Sequence, residues 1–114
     1  MSECLFCKIA AGEIPAKIVF EDDKAVAFED IQPQAPTHIL IIPRKHIPTI
    51  LDITKEDYEL VGYLHSVANR IAAERALAED GYRLVMNCNR AAGQEVFHLH
   101  FHMLAGRNFS WPPG

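Results

Sequence analysis

Residues 98–103 alternate histidine with large apolar residues without a break, and this pattern constrains the fold more than any other part of the chain. Side chains on a β-strand point to opposite faces with period two. The alternation therefore predicts a strand with three apolar residues on a core face and three histidines, His98, His100 and His102, on the other face. Such a row adds little apolar burial, and its imidazoles would repel one another when protonated. Because neutral imidazole can ligate metal, attack phosphorus or transfer protons, the row indicates a metal site or a phosphate and nucleophile site.

The length and charge of the chain limit the classes of function that remain. A chain of 114 residues with 49% hydrophobic content predicts one domain, residues 1–114, with room for a core but not for a second domain. The formal charge of −4 argues against a nucleic-acid polymer as partner, although a few local donors suffice for a small phosphorylated ligand. No apolar run approaches about 18 residues and no signal region opens the chain, so we expect no membrane contact and a cytoplasmic location.

Hydrophobic periodicity and proline and glycine positions predict an α+β domain in which one antiparallel sheet is covered by a long helix. A short helix is predicted over residues 4–11. The long helix is predicted to start after a Thr54 cap and to run to about Ala78, with its apolar stripe inward. The predicted strands cover residues 17–20, 25–29, 37–42, 82–87 and 98–103.

Cysteine is present at three positions, Cys4, Cys7 and Cys88. An odd number of cysteines and an intracellular Cys-x-x-Cys pair are more typical of a metal-binding or redox-active site than of a structural disulfide. The first two cysteines are therefore candidate metal ligands.

The His-x-His-x-His-x pattern of residues 98–103, preceded by Asn87 and by Gly93-Gln94, resembles the motif of the histidine triad (HIT) family. Other segments resemble the Hint branch of that family, and together they cover nearly the whole chain: Phe6-Cys7-Lys8-Ile9, Ile14-Pro15-Ala16-Lys17, Phe20-Glu21-Asp22-Asp23, the run from Asp30 to His38, and Trp111-Pro112-Pro113-Gly114.

This resemblance implies a HIT-like domain with a five-stranded antiparallel sheet, one long helix and one short helix. It also implies a homodimer in which two such sheets form a continuous ten-stranded sheet. The implied activity is hydrolysis of the P–N bond of purine nucleoside 5′-phosphoramidates, such as adenosine 5′-phosphoramidate or adenylylated lysine, through a nucleotidyl-histidine intermediate. The implied substrate is thus a purine nucleotide, and the chemistry needs no cofactor.

The resemblance also implies a role for each motif position. His100 matches the nucleophile that attacks the α-phosphorus, His102 the residue that contacts the phosphate and assists the leaving group, and His38 a supporting residue on the adjoining strand. The first motif histidine, His98, completes the set. Residues matching the family's nucleotide contacts are Phe6, Ile9, Phe28 and Ile31 for the base, Asp30 for the ribose, and Asn87, Gly93, Gln94, Glu95 and Val96 for the α-phosphate.

Two departures from the Hint pattern bear on these roles. Glu95 stands where Hint members often have a small hydroxyl residue, so its carboxylate either points away from the phosphate or influences the choice of leaving group. Cys4 and Cys7, with His46 and His98, resemble a zinc-binding pattern of other histidine triad proteins, and the resemblance implies a structural zinc with His98 as a structural ligand. Cys7 could equally be a small buried hydrophobe.

Other functions remain open from the sequence. A dinucleoside polyphosphate hydrolase would share the nucleophile, but the Trp-Pro-Pro-Gly ending resembles the Hint branch. A nucleotidyltransferase of the galactose-phosphate group would have glutamine in place of His102. A nucleotide-binding scaffold protein and a zinc module whose histidines serve metal alone are the alternatives from other classes.

Overall fold

A computed structural model describes residues 3–114 and contains one five-stranded antiparallel sheet with a helix on each face. The helices are α1 (Leu5–Ala10) and α2 (Tyr58–Glu74), and the strands are β1 (Ile18–Glu21), β2 (Ala25–Glu29), β3 (Thr37–Pro43), β4 (Arg83–Val85) and β5 (Phe101–Ala105). The strand order is β1-β2-β3-β5-β4, with every neighbouring pair antiparallel. The predicted α+β class and the five strands are confirmed.

The central strand, β3, is buried along its whole length because both of its faces are covered. Ile39 and Ile41 face the core beneath α2, whereas Leu40 and Ile42 face the smaller core beneath α1. A strand covered on both faces has a continuous apolar sequence rather than an alternating one. This is why residues 39–42 are all large and aliphatic.

The long helix covers one face of the sheet through the predicted apolar stripe. Leu64, Val67 and Ile71 are buried against the sheet, and Leu60 packs at the edge of the same cluster. The predicted Thr54 cap is present, because the Asp57 carboxylate accepts from the Thr54 backbone N–H at 3.0 Å before a short 3₁₀ turn leads into α2. These contacts fix α2 on the face of the sheet that does not carry the predicted site histidines.

The opposite face of the sheet carries only the short helix α1. Its buried residues, Phe6 and Ile9, pack against Phe28, Leu40 and other apolar side chains of β2 and β3. Six residues span only about 9 Å, since each helical residue advances about 1.5 Å. The helix therefore leaves part of this face uncovered.

The long helix ends at Glu74 and not near Ala78 as the sequence predicts. Ala76 adopts a positive φ of 58°, and the Leu77 N–H donates to the Ala72 carbonyl at 2.8 Å. This is the closing hydrogen bond of a Schellman motif, in which glycine usually holds the left-handed position. Alanine occupies that position here, so the residue pattern contains no signal for the end of the helix.

Two predicted strands are shorter in the structure. The strand predicted over 82–87 is regular only at Arg83–Val85, and the histidine strand begins at Phe101 and not at His98. Before Phe101 the chain leaves the ladder, because the Leu99 N–H donates to Ile47, beyond the end of β3. The alternation of faces nevertheless persists, since Leu99, Phe101 and Met103 all lie in the core beneath α2.

The acidic turn between β1 and β2 is an ordered structural element. The Asp22 carboxylate accepts from the backbone N–H groups of Lys24 and Ala25, both at 2.8 Å, and from the Tyr63 hydroxyl of α2.

Within residues 3–114, the helices are not long and apolar enough to cross a membrane.

Replacing Ala76 with glycine should stabilise the protein. An L-residue in the left-handed conformation destabilises the folded state by about 1–2 kcal/mol, and glycine avoids this cost. Glycine also loses more backbone entropy on folding, which opposes the gain by about 0.5–1 kcal/mol. A76G should therefore raise the free energy of unfolding by about 0.5–1 kcal/mol. Urea unfolding measures this. The matched control is A78G, at an exposed alanine that lacks a positive φ, which should destabilise the protein. A destabilised A76G would contradict the assignment of strain to Ala76.

Candidate active site

The part of the sheet that α1 leaves uncovered forms a cleft of about 1010 Å³. Three of the predicted catalytic residues, His38, His100 and His102, line it. Nine of the ten predicted nucleotide-contact residues line it as well: Phe6, Ile9, Phe28, Asp30, Ile31, Asn87, Gly93, Glu95 and Val96. The exception is Gln94. His98, the fourth predicted catalytic histidine, is buried behind the cleft.

His100 is positioned by a hydrogen bond to the chain immediately before it. Its Nδ1 lies 2.8 Å from the His98 carbonyl oxygen, and because a carbonyl can only accept, Nδ1 carries the proton. In the neutral ring, Nε2 then holds a lone pair. The Phe6 ring packs edge-on against this imidazole with the centroids 5.1 Å apart, so the ring orientation is held from two sides.

A second chain of hydrogen bonds sets the tautomers of His38 and His102. The Gln34 backbone N–H donates to His38 Nδ1 at 3.0 Å, which leaves the proton of neutral His38 on Nε2. That Nε2 lies 3.0 Å from His102 Nδ1 and donates to it. Neutral His102 therefore carries its own proton on Nε2. The cleft thus contains one imidazole with a lone pair on Nε2 and a neighbour with a proton on Nε2.

The β3–β5 register brings these rings together. Leu40 of β3 is directly opposite His102 of β5, so His38, two residues earlier on the same face, is a diagonal neighbour of His102. His102 belongs to β5, and His100 is the residue immediately before this strand. The centroids of their rings are 5.0 Å apart. The sheet therefore sets the spacing of His38 and His102, whereas His100 lies just outside it.

Asp30 connects the histidines to the loop after β2. One carboxylate oxygen accepts from the Gln32 backbone N–H at 2.8 Å, and the other lies 3.4 Å from His38 Nε2. Burial lowers the pKa of His38, His100 and His102, and the negative charge of Asp30 acts in the opposite direction. Asp30 thus partly offsets the effect of burial on all three rings.

Burial is nevertheless the dominant influence on each imidazole of the cleft. Desolvation lowers the pKa of His38 and His100 below 6.5. For His102, desolvation together with the neighbouring His100 and His38 lowers the pKa to about 4. At neutral pH the three rings are therefore neutral, as the hydrogen bonds accepted by His38 Nδ1 and His102 Nδ1 require.

Gln94, predicted to donate to a phosphate, instead braces the loop before the histidines. Its side-chain amide donates to the carbonyls of Pro48 and Val96 at 2.8 and 3.1 Å and accepts from the Asn89 N–H at 2.7 Å. Its own backbone N–H donates to the Asn89 carbonyl. These bonds use its donors and fix the backbone on which Gly93 and Glu95 lie.

Glu95, which departs from the Hint pattern, is one of the residues that line the cleft. Its side chain is exposed, and within residues 3–114 it forms no hydrogen bond or ion pair. The only other glutamate of the cleft, Glu29, is 3.3 Å from Arg75. Glu95 therefore adds an uncompensated carboxylate to the cleft wall.

The four predicted metal ligands converge behind the cleft and form the Cys-His cluster: Cys4, Cys7, His46 and His98. Their ligand atoms lie within 4.8 Å of one another. His98 Nδ1 is 3.3 Å from Cys4 Sγ, 3.5 Å from Cys7 Sγ and 3.3 Å from His46 Nδ1, and Cys7 Sγ is 3.4 Å from His46 Nδ1.

These distances fit tetrahedral zinc. Bond lengths of about 2.3 Å to sulfur and about 2.0–2.1 Å to nitrogen give tetrahedral edges of about 3.3 Å for N···N and about 3.5 Å for S···N. The His98 ring also has the required tautomer, because Nε2 lies 2.7 Å from the Pro43 carbonyl and donates to it, leaving Nδ1 as the ligand atom. Without metal, burial raises the pKa of the Cys4 thiol.

Comparisons with known proteins identify the family of this chain. A profile of the HIT domain matches residues 11–109. The chain belongs to the HIT family. It is 54% identical over 105 residues to the purine nucleoside phosphoramidase of Escherichia coli K12, covering 92% of this chain and 88% of that protein.

Solved structures of the family have the same fold. A HIT family hydrolase from Legionella pneumophila has a TM-score of 0.96 and 57% identity, with 98% of this chain and 100% of that chain covered. A histidine triad protein from Clostridium difficile has a TM-score of 0.93 and 45% identity, with 96% of each chain covered. The predicted family and HIT fold are therefore confirmed.

The hydrogen bond from the Gln34 backbone to His38 was not predicted from the sequence. This residue acts through its backbone N–H, so its side-chain type carries no signal for the role. The same holds for the carbonyls of Pro43 and His98. A backbone donor or acceptor is set by the path of the chain, which the residue pattern does not describe.

The lowered pKa of His102 predicts a loss of stability in acid. The unfolded value is about 6.5 and the folded value about 4, so this contribution is complete above pH 6.5 and is lost as the pH falls toward 4. Urea unfolding from pH 7.5 to 4.5 should show a smaller acid-induced loss in H102N than in the parent, and a constant difference between the two above pH 7. Parallel curves across the whole range would contradict a buried, neutral His102.

Proposed function

We propose that the protein hydrolyses the P–N bond of purine nucleoside 5′-phosphoramidates and releases a nucleoside 5′-monophosphate and an amine. The observation that supports this most directly is the complementary pair in the cleft, a lone pair on His100 Nε2 beside an N–H on His102 Nε2. One group can attack phosphorus while the other donates to the developing charge. The similarity to a protein named purine nucleoside phosphoramidase supports the same substrate class.

In the first step, His100 Nε2 attacks the α-phosphorus and the P–N bond breaks. Burial lowers the pKa of His102, but an anionic phosphate bound beside it favours the imidazolium. In that form a proton on Nδ1 replaces the hydrogen bond from His38, and Nε2 can give its proton to the leaving nitrogen. The product is a nucleotidyl-His100 intermediate and a free amine. Phosphoryl transfer depends mainly on positioning and charge stabilisation, which the fixed rings supply.

In the second step, water attacks the same phosphorus, the P–N bond to His100 breaks, and the nucleoside monophosphate leaves. His102 has given up its proton in the first step and is now neutral. It can therefore act as the base that accepts a proton from this water. Every bond made or broken involves substrate, water or imidazole. The proposed chemistry therefore uses no cofactor.

The nucleotide would lie along the cleft with its base between α1 and the loop after β2. Phe6, Ile9 and Phe28 provide apolar surface there, and exposed Ile31 lies at the rim. The Asp30 carboxylate is suited to accept from ribose hydroxyls, with Asn87 and the backbone around Gly93 and Val96 at the phosphate end. These assignments follow the family motif position by position.

We also propose that the Cys-His cluster binds a structural zinc ion. The cluster has a common Cys₂His₂ ligand set, and the four distances of 3.3–3.5 Å between its ligand atoms match the edges of a zinc tetrahedron. Bound metal would join α1 to the chain segment that carries His46 and to the residue that opens the histidine motif. This ion would have no part in the chemistry of the cleft.

The protein is also proposed to form a homodimer by pairing β4 with β4 of a second copy, giving ten continuous strands. β4 is an edge strand, and the C-terminal tail lies beside it, because Arg83 donates to the Ser110 carbonyl at 3.1 Å and stacks on Phe109. Trp111 in that tail is 83% exposed in the single chain. An exposed tryptophan beside an open edge is suited to a partner surface.

Sedimentation velocity tests the dimer directly. At about 10 µM the full chain should sediment with about twice its monomer mass of 12.8 kDa. A chain truncated after Phe109 should have a higher dimer dissociation constant, because it lacks the tryptophan. A full chain that remains monomeric would exclude the proposed pairing.

Substitution of His100 tests the proposed activity. H100A should lose at least about a thousandfold in turnover of adenosine 5′-phosphoramidate, because no other ring has its lone pair placed to attack, while its affinity for AMP stays within about threefold. H102A should be slowed less. Rapid quenching and mass spectrometry of the parent should find the nucleotidyl adduct on the peptide containing residues 98–103, and H100A should lack it.

The matched control is H65A, at an exposed histidine of α2 outside the cleft, which should behave as the parent does. A dinucleoside polyphosphate assayed in parallel tests the alternative substrate class. Parental turnover by H100A would refute the nucleophile, and slow turnover of every phosphoramidate would favour a nucleotide-binding scaffold protein.

A further inference from the structure

The Cys-His cluster and the cleft share two structural parts. One is α1, which has Cys4 as its N-cap and Cys7 in its first turn, and which also provides Phe6 and Ile9 to the cleft wall. The other is His98, whose ring belongs to the cluster and whose carbonyl accepts from His100. Any change at the cluster can therefore reach the cleft by two routes.

The first route depends on how α1 is attached. A six-residue helix is not stable alone and depends on tertiary contacts. At its last turn, Arg44 donates to the Ala10 carbonyl at 2.7 Å. At its first turn, Cys4 and Cys7 attach the helix to the rest of the chain through the histidines of the cluster. Thiols are weak hydrogen-bonding groups, whereas thiolates bound to zinc are firmly held. Metal would therefore fix mainly the start of α1, where Phe6 lies.

The second route is secured without metal. The His98 ring donates to the Pro43 carbonyl, and the following residue, Leu99, donates through its N–H to the Ile47 carbonyl, both at 2.7 Å. These two bonds hold the His98 carbonyl in place. They do not involve Cys4, Cys7 or His46. The hydrogen bond from His100 Nδ1 to the His98 carbonyl should consequently survive loss of the metal and keep Nε2 as the nucleophile, while the Phe6 contact on the other side of the ring loosens with α1.

We infer that metal occupancy of the Cys-His cluster controls the affinity of the cleft for the purine nucleotide, through α1, while leaving the presentation of the His100 nucleophile nearly unchanged. The nucleotide is the ligand assigned under the proposed function, and the inference rests on that assignment. Loss of the metal should raise KM, because Phe6 and Ile9 line the part of the cleft assigned to the base, and should change kcat little.

The test uses His46, which is exposed and lies outside both α1 and the cleft lining. H46N removes one ligand without touching any residue that contacts the nucleotide. Purified without added metal, it should contain far less than one zinc per chain, where the parent contains one. Its AMP dissociation constant, measured by calorimetry, should rise about tenfold, and its kcat on adenosine 5′-phosphoramidate should stay within about twofold of the parent.

Three further arms separate metal occupancy from damage caused by the substitution. H46C restores a Cys₃His ligand set and should recover both zinc and affinity. The parent treated with a chelator should reproduce the rise in the dissociation constant, and added zinc should reverse it. C88S, at the cysteine outside the cluster, should keep its zinc and the parental affinity.

The inference is overturned if the parent contains no zinc, if metal-depleted protein binds AMP as tightly as the parent, or if kcat falls while affinity is unchanged. In the second case the metal would stabilise the fold alone. If the zinc-loaded parent binds no AMP and cleaves no phosphoramidate, the proposed function fails instead, and the zinc measurements distinguish that result.

Discussion

The unequal covering of the two sheet faces is the constraint on which the site depends. The 17-residue helix α2 covers one face, and the six-residue helix α1 covers only part of the other. Polar side chains on the first face would be buried without water, and that face of β3 and β5 is accordingly apolar. The partly covered face can accept His38, His100 and His102, because hydrogen-bond partners and open space exist there. The cleft is thus a direct result of the shortness of α1.

Burial of imidazoles on this face sets their chemistry. Desolvation lowers the pKa of each ring, so the charged forms are disfavoured until an anion arrives. The hydrogen bonds from Gln34 to His38 and from His100 to His98 then select one tautomer for each neutral ring. A site of this kind needs little rearrangement when a phosphate binds, since the lone pair and the N–H are already on different rings.

Much of this architecture could be predicted from the sequence. Alternation at residues 98–103 correctly separated the histidine face from the apolar face, and the aliphatic run of residues 39–42 correctly indicated a strand. The end of α2 could not be predicted, because an alanine holds the left-handed position at residue 76. The role of Gln94 was also not predicted, since its partners are backbone carbonyls 46 and two residues away. Sequence patterns describe side chains, and these features depend on backbone conformation and loop contacts.

The hydrogen bond from His100 Nδ1 to the His98 carbonyl has a stereochemical consequence. It leaves Nε2 as the one ring nitrogen that can bond to phosphorus, so the nucleotide must be transferred to that atom and then from it. Each in-line displacement inverts the configuration at phosphorus, and two in succession restore it. A substrate made chiral at the α-phosphorus should therefore keep its configuration in the product, whereas direct attack by water in the same cleft would invert it.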